Sequence, residues 1–200
     1  MLLTGAITVF IILVSGTTIA VAVVLRFLFR YFKRAEDVGW ELGVSYLVKE
    51  KGFNKRFLLF QKLIASKDDS GMVITRTFPG KIRKNRGFEA MPIWWLSREE
   101  SPNSIDPLSL AKLTHVIQDF IQNKEEAVIL LDGLEYLILQ NNFETTLRFL
   151  QALNDLVILN RATLIVPVDP SSLSEKQLSL LEKEMETHRL SMSILRFFGE

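Results

Sequence analysis

The chain contains no cysteine and only two histidines, His115 and His188. The first absence excludes a disulfide scaffold, a cysteine-ligated zinc or iron–sulfur centre, and a thiol nucleophile. With no thiol to oxidise, the sequence does not report a redox compartment. Two histidines are too few for a multi-histidine metal site. His115 has no carboxylate–serine pattern around it, so a Ser-His-Asp triad has no support. Charge of one sign is also missing: 24 Lys+Arg stand against 23 Asp+Glu, a formal net charge of +1. No global field draws such a chain to nucleic acid, and none is expected as a partner. No internal repeat or low-complexity tract is visible. What remains is a chain of 200 residues, 48% hydrophobic and 24% charged. That composition excludes general disorder and suits one domain with an appendage.

Charge is absent altogether from Met1–Leu25. As a helix, Leu2–Leu25 would extend about 36 Å at 1.5 Å per residue, against a hydrocarbon core of about 30 Å. The sequence therefore predicts a transmembrane helix. Arg26, Arg30, Lys33 and Arg34 follow it, interleaved with Phe27, Phe29, Tyr31 and Phe32. Cationic stems and aromatic rings of this kind sit at a membrane interface, and the positive-inside rule puts the C-terminal bulk in the cytoplasm. Ala20-Val21-Ala22 has the small residues of a signal-peptide cleavage site. However, no basic stretch leads into the apolar run, and the run continues past that point, so the anchor reading is preferred. The expected organisation is a transmembrane anchor with a basic flank over 1–34, a linker over 35–43, and a cytoplasmic α/β domain over 44–200.

Beyond the linker, strand and helix signals alternate. Ser45–Lys49 reads as a strand. Asn54 is a candidate N-cap for a helix carrying Phe57, Phe60 and Ile64, with Phe53 and Leu58 placed to staple it. Met72–Thr77 is a strand closed by the turn signal Phe78-Pro79-Gly80, and Pro92–Ser97 is another short apolar run. Asp106-Pro107 predicts a helix start, with Leu110, Leu113, Ile117 and Phe120 as its stripe. Ala127–Leu131 and Ala162–Val168 are apolar throughout, as strands covered on both faces should be, with Pro167 near the end of the second. Asn142 opens a helix bearing Phe143, Leu147, Leu150, Leu153 and Val157. Ser174 and Gln177 form a capping box for a helix running to about Met185. Leu190, Met192 and Ile194 alternate as an edge strand would. Strands separated by single helices predict an α/β fold: a mainly parallel sheet flanked by helices and joined by right-handed crossovers. The order of the strands is not legible.

Several phrases occur in series: Tyr46-Leu47-Val48-Lys49-Glu50, Ile74-Thr75-Arg76-Thr77, Trp95-Leu96-Ser97, Leu130-Leu131-Asp132-Gly133-Leu134-Glu135-Tyr136-Leu137-Ile138, and Val166-Pro167 with Asp169-Pro170. In this order they resemble domain-of-unknown-function family 835, over about Gly43 to Met185. The resemblance implies a degenerate relative of the RecA/KaiC-like nucleotide-binding fold, no established activity, and an archaeal source.

Two chemical readings follow. Val128-Ile129-Leu130-Leu131-Asp132 has the form of a Walker-B strand, whose aspartate holds Mg²⁺ beside ATP, with Glu135 placed as a water-activating carboxylate. A working phosphate loop also needs G-x-x-x-x-G-K-[ST], which wraps phosphates in backbone N–H groups. The corresponding stretch here is Glu50-Lys51-Gly52-Phe53-Asn54-Lys55-Arg56, with one glycine and no Lys-Ser/Thr pair. The other reading makes Asp132 structural, closing a turn through Gly133 on local backbone donors. Because ligands of open parallel sheets bind beyond the carboxyl ends of strands, Arg76, Arg98, Asp132, Glu135 and Asp169 form a possible ligand or metal rim. The simpler reading, and the preferred one, makes them helix caps and surface ion pairs. Lys81, Arg83, Lys84 and Arg86 form a basic loop, either solvated or facing anionic lipid. The expectation is a membrane-anchored, non-catalytic α/β module acting through an unknown protein partner, without cofactor. The alternative is a divergent nucleotide-binding protein using ATP and Mg²⁺.

Overall fold

The computed structural model describes residues 40–50, 54–64, 70–86, 88 and 91–189. The predicted anchor at Met1–Leu25 lies outside them. Among the described residues no helix is long and apolar enough to cross a membrane.

Seven strands form one sheet: β1 (Val44–Lys49), β2 (Gly71–Thr75), β3 (Ile93–Leu96), β4 (Ser104–Ile105), β5 (Val128–Asp132), β6 (Thr163–Val168) and β7 (Glu186–Arg189). Their order is β4-β3-β2-β5-β6-β1-β7, and every pairing is parallel. The helices are α1 (Asn54–Ile64), α2 (Pro79–Arg86), α3 (Leu110–Gln122), α4 (Leu134–Asn141), α5 (Phe143–Leu159) and α6 (Glu175–Glu184), with a short 3-10 turn at Pro170–Ser172. The α/β class and the parallel sheet are as the alternation of signals predicts.

The apolar runs become the middle of the sheet. Every residue of β5 and β6 is buried, because both faces carry helices. Leu113, Ile117 and Ile121 of α3 and Leu150, Leu153 and Val157 of α5 join Ile129, Leu131 and Leu164 in one core. A second packing is aromatic: Phe57 and Phe60 of α1 lie against Phe88, with ring centroids 6.4 and 5.8 Å apart. Pro167 is tolerated in this central strand for a local reason. It pairs with Val48 of β1, whereas the β5 pairing ends at Leu130 and Ile165. Since Val168 accepts from Glu50 N on the β1 side, the missing donor of Pro167 faces β5 just beyond its last paired residue.

Several boundaries differ from the expectation. The strand ends ahead of Phe78-Pro79-Gly80, at Thr75, but no loop follows: Pro79 opens α2, so the basic run is helical. Proline suits a first helical position because its missing N–H has no partner there anyway. Asp106-Pro107 does not start α3. Asp106 Oδ1 accepts from Leu108 N at 2.9 Å and its carbonyl from Ser109 N at 2.8 Å, which makes a turn, and the helix begins at Leu110. An edge strand does follow α6, but over Glu186–Arg189, pairing with β1; Leu190, Met192 and Ile194 lie outside the described residues. The Ser174–Gln177 capping box is present in both directions.

Asn142 caps α5, accepting from Thr145 N at 2.9 Å, and does so at φ 70°. Asn142→Ala removes the acceptor and leaves a β-carbon in an unfavourable backbone region. It should cost about 1–2 kcal/mol, with Asn142→Gly costing less. Urea midpoints of the two variants, with the chain in detergent, check the order.

Candidate functional site

All seven strands run the same way, so their carboxyl ends share one edge. There the chain turns outward at Glu50, Arg76, Ser97, Asp132 and Asp169, and the predicted rim residues all lie along it. Their side-chain contacts fall into three arrangements along this edge.

The first is buried and ionic. Arg56, in the first turns of α1, donates Nε to Glu50 Oε1 at 2.7 Å and pairs through Nη1 with Asp132 Oδ1. The other Asp132 oxygen accepts from Thr75 Oγ1 at 2.7 Å, and Thr75 Oγ1 in turn accepts from Thr77 N at 3.0 Å. Asp132 therefore takes long-range side-chain donors, not the local backbone donors expected of a turn aspartate. Its carbonyl is engaged as well, by Arg76 N at 3.2 Å. Glu50 is almost wholly buried, and among the described residues its second oxygen, Oε2, has no hydrogen-bond partner. Burial pushes the Glu50 carboxyl above its ordinary value of 4.5; Arg56 opposes this, and Asp132 adds to it. For Arg56, burial acts against the charge, but the Asp132 and Glu50 carboxylates outweigh it and the guanidinium is held more firmly protonated than usual.

The sequence pointed to Asp132 and missed its partners. Arg56 and Glu50 stand in the stretch that would carry a phosphate loop. The only signal was two charged residues of opposite sign flanking the start of a helix that packs on the sheet.

The second arrangement involves Glu135 and Asp169. Glu135 Oε1 accepts from Asp169 N at 2.9 Å, while Asp169 Oδ1 caps the 3-10 turn through Ser171 N and Ser171 Oγ. The third brings Arg76 over the Tyr136 ring at 4.8 Å and Arg98 onto Gln140 at 2.9 Å. Glu135 thus ties α4 to the end of β6, and the two arginines lie on α4 one turn apart.

These contacts bear on Mg²⁺. The Asp132 carboxylate that would face a metal is neutralised by a guanidinium. Among the described residues no group of three or more His, Cys, Asp or Glu could hold an ion. While Arg56 keeps its place, Asp132 Oδ1 is committed to the guanidinium rather than open to a cation.

The profile of a protein family of unknown function, DUF835, matches residues 49–185. The chain belongs to the DUF835 family. The match begins at Lys49 rather than at Gly43 and ends at Met185, so it takes in β1's last residue, Arg56, Asp132 and α6. Two solved structures share the fold of this DUF835 chain. PH0250 from Pyrococcus horikoshii OT3 is 15% identical, with 80% of this chain and 88% of that chain covered at a TM-score of 0.58. The KaiC-like protein PH0186 from the same organism is 14% identical, with 76% and 75% covered at a TM-score of 0.55. At such identities the likeness carries the α/β architecture alone. No curated protein matches the sequence.

The buried carboxyl gives a pH prediction. The folded-state value of Glu50 lies above the unfolded one, so between the two the folded chain binds more protons. Stability contributed by this group should fall as pH rises from 4.5 through the raised value. Glu50→Gln removes that dependence while keeping an acceptor for Arg56. Subtracting the pH–stability curve of the variant from that of the parent should leave a difference that declines over this window. A flat difference would contradict it.

Proposed function

We propose that this DUF835 chain is a membrane-anchored, non-catalytic α/β module that works through protein–protein contacts, in signalling or assembly, with its folded domain in the cytoplasm. The observation that supports the non-catalytic reading is the pairing of Arg56 with Asp132. In a nucleotide-hydrolysing relative, a carboxylate at the end of this strand faces a metal ion; here a fixed organic cation meets it instead. The sequence adds the missing G-x-x-x-x-G-K-[ST]. The membrane part rests on the uncharged run Met1–Leu25 and on Arg26, Arg30, Lys33 and Arg34 after it.

The rival reading, ATP and Mg²⁺ held by Asp132 and Glu135, draws on the fold of the KaiC-like neighbour. The melting temperature of the full chain with and without ATP–Mg²⁺ separates the two. On the proposed reading the nucleotide leaves it unchanged. An upward shift in the parent that vanishes in Asp132→Asn would sink this reading, since the Asn variant keeps the shape and loses the charge that a metal needs. For the anchor, protease added to intact cells should spare the folded domain. A mature chain starting near Arg26 would overturn it.

A further inference from the structure

The basic run and the third rim arrangement form one continuous surface. Tyr136 and Gln140 lie one helical turn apart on α4 and hold Arg76 and Arg98 side by side. Arg76 also reaches the Leu96 carbonyl at 3.4 Å, and its own carbonyl accepts from Trp95 Nε1 at 3.0 Å. The Trp95 ring meets Phe78 edge-to-face, with centroids 5.4 Å apart at 82°. Phe78 remains 59% exposed. A β-carbon at Gly80 would come within 2.8 Å of its Cε1, so the ring lies across Gly80. Lys81 and Lys84 then follow at three-residue intervals along α2, exposed, on the helix face that Phe78 begins. Among the described residues no ion pair engages either lysine. From Arg76 to Arg86 there are five cations and no acid.

An exposed phenyl ring set among cations suits an apolar group flanked by carboxylates. We propose that this surface, built from Arg76, Phe78, Lys81, Lys84, Trp95 and Arg98, is the docking site for a short acidic segment of a protein partner that carries an aromatic or aliphatic side chain. The inference rests on the protein-interaction reading above and names the chemistry of the partner.

Two features favour a peptide over the other polyanions. Tyr136 lies under Arg76 and Trp95 meets Phe78 edge-to-face, which leaves Phe78 as a single open ring, fewer than the series of aromatic platforms that successive bases stack on. The surface is also bounded beyond Arg98 by exposed Glu99 and Glu100. These would repel a long polyanion or a uniformly anionic lipid sheet, whereas a short segment ends before reaching them.

The test uses the full chain in nanodiscs of zwitterionic lipid. The probe is a fluorescein-labelled peptide of Glu-Glu-Phe repeats, with binding read by fluorescence anisotropy. A Lys-Lys-Phe peptide, oligothymidylate and phosphatidylserine-containing vesicles are compared. Salt-sensitive binding of the acidic peptide is expected. It should weaken about tenfold or more in Lys81→Glu/Lys84→Glu and in Phe78→Ser, and stay unchanged in Lys176→Glu on α6. All these side chains are at the surface, and unchanged melting temperatures would show the variants folded. Failure of the peptide to bind, or equal affinity in the charge-reversed variant, overturns the proposal. So does preference for oligothymidylate or for the vesicles. The reading beneath it is judged separately, by the ATP–Mg²⁺ melting shift.

Discussion

Arg56→Met should lower stability by about 3–5 kcal/mol at neutral pH. The side chain is 14% exposed and stands between two carboxylates that are more deeply buried still. Methionine retains much of the apolar stem, so most of the loss is electrostatic. Glu50 and Asp132 would be left with no cation between them. The remedy for such a pair is protonation, so the deficit of the variant should shrink as pH falls. A triple variant, Glu50→Gln/Arg56→Met/Asp132→Asn, should recover much of the loss, because removing the whole set of charges avoids burying an uncompensated one. The fluorescence of Trp94 and Trp95 during urea unfolding of the chain in detergent follows all of these. A single variant as stable as the parent would mean that the pairing with Arg56 contributes nothing to the fold.

Phe60→Ala should cost a similar amount, about 3–5 kcal/mol, by another route. The ring is fully buried, meets Phe88 edge-on, and helps to seat α1 on the sheet. Its loss leaves a cavity between the helix and the segment before β3. Phe60→Leu keeps part of the volume and should cost clearly less. Phe60 lies four residues after Arg56 on the same helix, so a shift of α1 also pulls the guanidinium from its carboxylates. The double variant Arg56→Met/Phe60→Ala should therefore lose less than the two single losses combined. Strict additivity in a double-mutant cycle would show that apolar seating and ion pairing act independently.

The continuous apolar runs at Ala127–Leu131 and Ala162–Val168 announced strands buried on both faces, and Asn142 and the Ser174 capping box marked true helix starts. Legibility failed where the local signal was weak or served another purpose. α2 is eight residues of mostly charged and small side chains, with Ile82 buried beneath it, so no periodic stripe reveals it. α4 follows β5 with Gly133 as its cap and no side-chain acceptor to mark the start. Asp106-Pro107 has the composition of a helix start and forms a turn. At the candidate site Asp132 was conspicuous, ending an apolar run. Arg56 was not, because the pairing spans 76 positions and no local pattern encodes a partner so distant. The order of the strands escapes for the same reason.

That order also sets a schedule for synthesis. β2 to β5 come from one stretch of chain, residues 71–132, and pair among themselves, so this half of the sheet can assemble as it leaves the ribosome. β1, made earlier, has no partner there. Its neighbours are β6 and β7, and its first pairing, Val44 with Thr163, joins residues about 120 positions apart. At about 5–20 residues per second, β1 waits roughly 6–24 s for β6 to be made. During that interval Tyr46, Leu47 and Val48, buried in the finished sheet, are open to chaperones and to neighbouring nascent chains. The earliest strand of this domain is thus the last to be enclosed.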